Sequence, residues 1–352
     1  MDVKALPALR RTRAAKAAAA VLAAGLITTA AAGCGSSSAT GASNGGSSGG
    51  SFSLKLSGDL PPDSSGGKTE AYFAQQVEKL TGGHVTVKVF PLSQLGTEDK
   101  ILTDIKTGSL DFADLNTSSI TGQIPSLGLY SLPFLIRSEE GAQALYSSPL
   151  SREMLDSLSS DGVQGLQIIS NGPFEVLAKK AINTPVDFSG MKLRVVTDPI
   201  STAMIKKFNA NAVPLPSLQV YSGLQQGVID GAISAPAGFL QLKWYEVART
   251  LNDLDQQWDT QVLLASPQTM RRLPAQYRDA VVRASEMARD YDNSIATRTE
   301  AGFEAQLKAR GVTVVRPDKT PFRTEAETLY PQFESSIGAD RIKQAQQIES
   351  AY

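Results

Sequence analysis

One cysteine and one histidine in 352 residues leave no disulfide framework and no zinc site built from those two residue types. Every histidine-dependent triad would rest on His84, which follows Gly82-Gly83 and precedes an alternating strand, a place for a solvent-facing or locally bonded imidazole. It is assigned no catalytic role. The 34 Lys and Arg balance 35 Asp and Glu, so the basic surplus that a phosphate backbone selects is missing and nucleic acid is not an expected partner. No nucleophile with a base, metal cluster or phosphate-binding loop stands out, so neither catalysis nor a metal or other cofactor is expected. What is present is 41% hydrophobic and 20% charged residues over a length that suits two domains.

Five basic residues (Lys4, Arg10, Arg11, Arg13, Lys16) and Asp2 precede a stretch with no charge from Ala17 to Leu54. This is the pattern of an export signal. Its apolar part closes in Ala31-Ala32-Gly33-Cys34, which resembles a bacterial lipobox. The resemblance implies cleavage after residue 33 and lipidation of Cys34, giving a signal peptide at 1–33. The alternative of a transmembrane anchor is disfavoured by a short, Ala-rich segment. Arg10-Arg11 fits a twin-arginine signal poorly in its context. Residues 34–51 are almost wholly Gly and Ser and read as a flexible tether. Removing five bases and one acid ahead of Cys34 leaves 29 basic against 34 acidic residues, a mildly acidic exported chain.

Beyond the tether, residues 52–56 and 85–89 alternate as strands, while 69–80 and 97–107 carry apolar residues at helical spacing, the second closed by Gly108. With a strand at 110–115 this makes a β-α-β-α-β series. A second series begins at Gln167. It has strands near 174–179, 191–196 and 228–234 and helices at 200–208 and 218–226. From Pro274 to Arg310 a stripe of Val281, Ala284, Ala288, Tyr291 and Ile295 predicts one helix about 55 Å long, or two with a break near Gly302.

Lys106-Thr107-Gly108 and Ser189-Gly190-Met191-Lys192 imitate motifs of penicillin-recognising serine enzymes, but in the wrong order and on the wrong elements. Asn116-Thr117-Ser118 matches a glycosylation sequon and is more informative as a polar loop at a strand's carboxyl end, where α/β sheets place ligands. Arg194 alternates with Met191, Leu193 and Val195, which take the apolar face of a strand. A guanidinium held there by rigid backbone suits a bidentate carboxylate anchor. A structural ion pair or a solvated strand charge is the other reading.

The blocks GMKLRV at 190–195 and AVPLPSLQVYSGLQQGVIDGAI at 212–233 resemble the signature of solute-binding proteins of TRAP (tripartite ATP-independent periplasmic) transporters, of the C4-dicarboxylate-binding type. FPLSQLG at 90–96, GSLDF at 108–112, LPFLI at 132–136 and WYEV at 244–247 extend the resemblance over nearly all of the exported chain. It implies a two-domain periplasmic-binding-protein-like α/β fold. Each domain would be a sheet flanked by helices, joined by crossing hinge strands and bridged by a long helix. The expected division is 52–171 with 261–298, and 172–260 with 299–352. A small organic acid would be enclosed between the domains and passed to the small and large permease subunits. An ABC permease or a sensor kinase is the alternative client, and an exported enzyme the alternative class.

The resemblance places Arg194 at the family's carboxylate-clamping position. It maps further ligand contacts onto Asn116, Ser118, Ser217, Ser234 and Pro236, with helix capping as the other duty of Ser217. Many members carry a second arginine one strand earlier, where this chain has Phe174. The segment that usually reads D-G-A-E-x-P is DGAISAP at 230–236, with one extra residue and no acid. An aromatic at 174 points to an aromatic or branched keto or hydroxy acid rather than a small dicarboxylate.

Overall fold

The structure is a computed structural model, which describes residues 50–352. The proposed signal peptide, Cys34 and most of the tether lie outside the described residues. Nine strands form one sheet: β1 Phe52–Gly58, β2 Val85–Phe90, β3 Phe112–Asn116, β4 Gln164–Ala178, β5 Lys192–Val195, β6 Asn211–Pro214, β7 Gly231–Ser234, β8 Thr250–Ala265 and β9 Thr313–Val315. Their order is β2-β1-β3-β8-β4-β7-β5-β6, with β9 on β8.

Two parallel groups, β1 to β3 and β5 to β7, are joined by the antiparallel pair β4 and β8. Register explains how they meet. Asn116, the last residue of β3, pairs with Gln261, and Ser234, the last of β7, pairs with Glu175. Both groups therefore run toward the middle of β4 and β8, and their carboxyl ends converge there.

The strands of each group are linked by helices whose apolar stripes cover the sheet. Helix α1, Ser65–Leu80, starts where the Ser64 hydroxyl accepts from Gly67 N and buries Phe73 and Val77. Helix α2, Glu98–Thr107, buries Ile101, Leu102 and Ile105 and ends at Gly108 with φ of 77°. A side chain in that left-handed turn would be strained, which is why the helix stops at glycine. The Ala275–Ala309 helix runs unbroken through Gly302, about 52 Å in length. Val281, Ala284, Ala288 and Ile295 are buried along it, while Tyr291 is half-buried and stacks on Tyr72 of α1 with centroids 4.4 Å apart. Among the described residues no helix is long and apolar enough to cross a membrane.

Several expectations change at their edges. The strand foreseen at 174–179 is the second half of the 15-residue β4, and β7 begins at Gly231 rather than Val228. The 16 residues of β8 carried no strand expectation. β4 is broken by register shifts between Ser170 and Pro173 and between Phe174 and Val176. Gly172 in the first shift has φ of 84°, and a Cβ on it would lie 2.7 Å from Glu300 Cγ, so glycine is required there twice over.

Candidate functional site

Where the carboxyl ends converge lies a cavity of about 560 Å³. Its walls come from the turns after β1, β2 and β3 on one side and after β5, β6 and β7 on the other. Asn171, Phe174 and Asp259 of the crossing strands form its base. This is the position where an α/β sheet offers strand-end loops to a ligand.

Arg194 is 4% exposed and sits in β5 between β6 and β7, so its neighbours are backbone on both sides. Its Nε donates to Leu215 O at 2.9 Å, Nη1 to Ile233 O at 2.8 Å and Nη2 to Ser217 Oγ at 3.1 Å. The guanidinium carbon lies 5.7 Å from the centroid of the buried Trp244 ring. Such a desolvated cation–π contact is worth about 2 kcal/mol. Burial lowers the pKa to about 10 against the pull of Glu98, Asp259 and Asp59, so the group is charged at neutral pH. Three of its five N–H groups are used, and among the described residues no carboxylate is within ion-pair distance. The structural ion pair and the solvated strand charge are both set aside by this geometry.

The opposite side is acidic. Asp259, 6% exposed, accepts from Asn116 Nδ2 at 2.5 Å, Gln261 Nε2 at 2.8 Å and Asn171 Nδ2 at 2.7 Å. Burial raises its pKa to about 6 and the amides counter this. Asp59 and Glu98 line the same side. Asp59 is pushed well up by burial and then by Glu98, Asp259 and Asp114.

Comparison with known proteins decides the family. Residues 56–336 match the model of bacterial extracellular solute-binding protein, family 7 (DctP). The chain belongs to this family. The sialic acid-binding periplasmic protein SiaP of Vibrio cholerae is 25% identical over 266 residues, 75% of this chain and 83% of its own. A TRAP periplasmic solute-binding protein of Xanthobacter autotrophicus, solved with β-D-galacturonate bound, is 28% identical with a TM-score of 0.79. The match covers 84% of this chain and 99% of that one. Its counterpart from Sulfurospirillum deleyianum, solved with succinate, is 28% identical with a TM-score of 0.78 over 85% and 99%.

Of the residues that the family pattern suggested, Arg194, Phe174, Asn116, Ser217 and Ser234 all line the cavity. Ser118 does not. Its hydroxyl is buried and accepts from Ser131 Oγ at 3.2 Å, and the next residue, Ser119, reaches the wall instead. Pro236 also misses. It opens the Pro236–Gln241 helix and borders a second cavity of about 350 Å³ beside Glu175, Asp253 and Lys319, while Ala235 and Gly238 take its place at the first. Ser217 has no capping duty, because Pro216 is the cap residue and the Ser217 hydroxyl is taken by Arg194.

Sequence reasoning missed Asp59, Glu98, Asn171 and Asp259. The strand-end rule applied at Asn116 reaches Asp59, which directly follows β1, and Glu98, after β2. Asn171 and Asp259 lie inside long strands, where no local pattern marks a site.

Beneath the acidic wall, Glu70 of α1 faces Asp114 of β3. Among the described residues neither oxygen of Glu70 nor Oδ1 of Asp114 has a hydrogen-bond partner. A Cβ on Gly58 would lie 2.0 Å from Glu70 Oε1, so the end of β1 is glycine to make room for this carboxyl. Two facing acceptors without a donor are reconciled by a proton between them. Burial, with Asp114 and Asp59 adding to it, raises Glu70 well above the usual range, and burial raises Asp114 to about 7. Raised carboxyl pKa values stabilise the fold fully below the unfolded value near 4, and that stability is lost as pH rises to about 7. Glu70→Gln is therefore expected to lose less stability than the parent between pH 5 and pH 8, by on the order of a few kcal/mol, in urea melts across that range. Parallel curves for the two proteins would contradict the shared proton.

Proposed function

We propose that the cavity takes a small organic acid whose carboxylate completes the hydrogen bonding of Arg194. The observation that carries this reading is a buried, charged guanidinium that among the described residues has two N–H groups without a partner and no carboxylate of its own, on the wall of a cavity a solute can enter. Leaving such a charge uncompensated costs several kcal/mol, and a bound carboxylate relieves that cost while adding charge-assisted hydrogen bonds. The relatives solved with galacturonate and succinate support the class of solute.

In this reading the chain is a receptor without turnover, and it hands its solute to the membrane subunits of a TRAP-type secondary transporter. The proposed division at 171/172 and 260/261 falls where β4 changes register and β8 passes the cavity, a suitable place for two halves to close about a hinge. Lipidation of Cys34 would hold the receptor at the outer face of the cytoplasmic membrane, and without it the exported chain would be periplasmic. Two or more acyl chains suffice for stable anchoring.

Two experiments test these points. A carboxylate at about a hundred times its Kd should add roughly 2.7 kcal/mol to the parent's stability. Neutral sugars should add nothing, and Arg194→Gln should weaken carboxylate binding on the order of a hundredfold. Equal responses of parent and variant in a thermal-shift titration would remove Arg194 from the site. For the anchor, Cys34→Ser should shift the protein from the membrane pellet to the soluble fraction, and an unchanged pellet would remove the lipid.

A further inference from the structure

The cavity's charge does not suit an ordinary acid. Its lining holds four carboxylates, Asp59, Glu98, Asp99 and Asp259, against the single cation Arg194. Asp99 is exposed and accepts from Gln123 Nε2 at 2.9 Å, so water and that amide serve it, whereas Asp59, Glu98 and Asp259 are half-buried or buried. Asp259 is fixed at the base by three amide donors that hold its carboxylate in one orientation. Asp59 Oδ1 has no hydrogen-bond partner among the described residues. Lys and His are missing from the lining.

Seating a simple monocarboxylate on Arg194 cancels the one positive charge of the lining and leaves the acids facing one another across the cavity. A dicarboxylate adds a further negative charge to that wall. Hydroxyl groups can donate to the acids but do not neutralise them. A cationic nitrogen on the solute does both, with charge-assisted hydrogen bonds or close ion contacts. Leu60, Leu215, Leu242 and Phe174 supply apolar lining for the carbon skeleton.

We propose that the solute is a zwitterion, its carboxylate on Arg194 and its cationic nitrogen against Asp59, Glu98 and Asp259. This deepens the organic-acid reading and rests on it. Selection between solutes then lies with the acidic wall, while Arg194 recognises the carboxylate common to all of them. Burial first, and then Glu98, Asp259 and Asp114, push the Asp59 carboxyl well above the usual range, and a cationic nitrogen set against it holds it ionised.

The test is a titration of the purified full chain with matched acids. ω-Amino acids of increasing chain length are compared with their ω-hydroxy, unsubstituted and dicarboxylate counterparts, and α-amino acids with their α-hydroxy counterparts. The expected result is that at least one zwitterion binds about tenfold or more tightly than every counterpart, as one charged contact warrants. Asp59→Asn and Asp259→Asn should each reduce that zwitterion-to-counterpart ratio by about tenfold, and Glu98→Gln serves in place of either that fails to fold. Dicarboxylates or hydroxy acids that match or exceed the zwitterions in every series overturn the proposal, as does a ratio that survives the substitutions, while tight binding of those acids lost on Arg194→Gln leaves the organic-acid reading standing. If no acid of any kind binds, both readings fall together.

Discussion

The buried charge of Arg194 is the constraint on which the site depends. A guanidinium 4% exposed, without a carboxylate beside it among the described residues, is tolerated because the surrounding elements are arranged to hold it. β5 is an interior strand, so its side chain reaches the carbonyls at the ends of the neighbouring strands. Leu215 O follows β6, and Ile233 O belongs to β7. Trp244 lies under the cation, and the Ser217 hydroxyl takes a third N–H. These contacts hold the fork rigidly and use its donors only in part. The remaining donors are preorganised for an anion, which cuts the entropy cost of binding one.

The opposing wall depends on the crossing pair. β4 and β8 are long enough to carry both parallel groups, and their mid-points place Asn171 and Asp259 at the cavity base. The irregular stretch of β4 at Ser170–Pro173 frees Asn171 from regular pairing, so its amide can turn to Asp259 at 2.7 Å. Below it the Glu70–Asp114 pair adds further acid to the same half of the molecule. One cation faces several acids across a gap, and this polarity is a property of the whole sheet topology rather than of any single loop.

Much of this was legible in the sequence. Period-two alternation and helical spacing marked most elements of both α/β series, and a stripe free of internal proline marked the 35-residue helix. Arg194 was visible because it alternates with the apolar face of Met191, Leu193 and Val195 on one strand and falls at the family's carboxylate-clamping position. Other features depend on three-dimensional register. Asp259 and Asn171 are brought together from 88 residues apart by strand pairing, which leaves no local trace. Ser118 and Pro236 failed for a related reason: a one-residue difference in a strand-end turn decides which side chain reaches the cavity. The terminal boundary of β7 shifted because Val228 and Ile229 belong to the turn after a helix, although their apolar character resembles a strand.

The most direct test of the central claim is a crystal structure of the protein with the carboxylate that stabilises it most. The account predicts both carboxylate oxygens within about 3 Å of the Arg194 guanidinium nitrogens. A solute bound in the cavity with its carboxylate directed away from Arg194, and that guanidinium still without an anion, would contradict it.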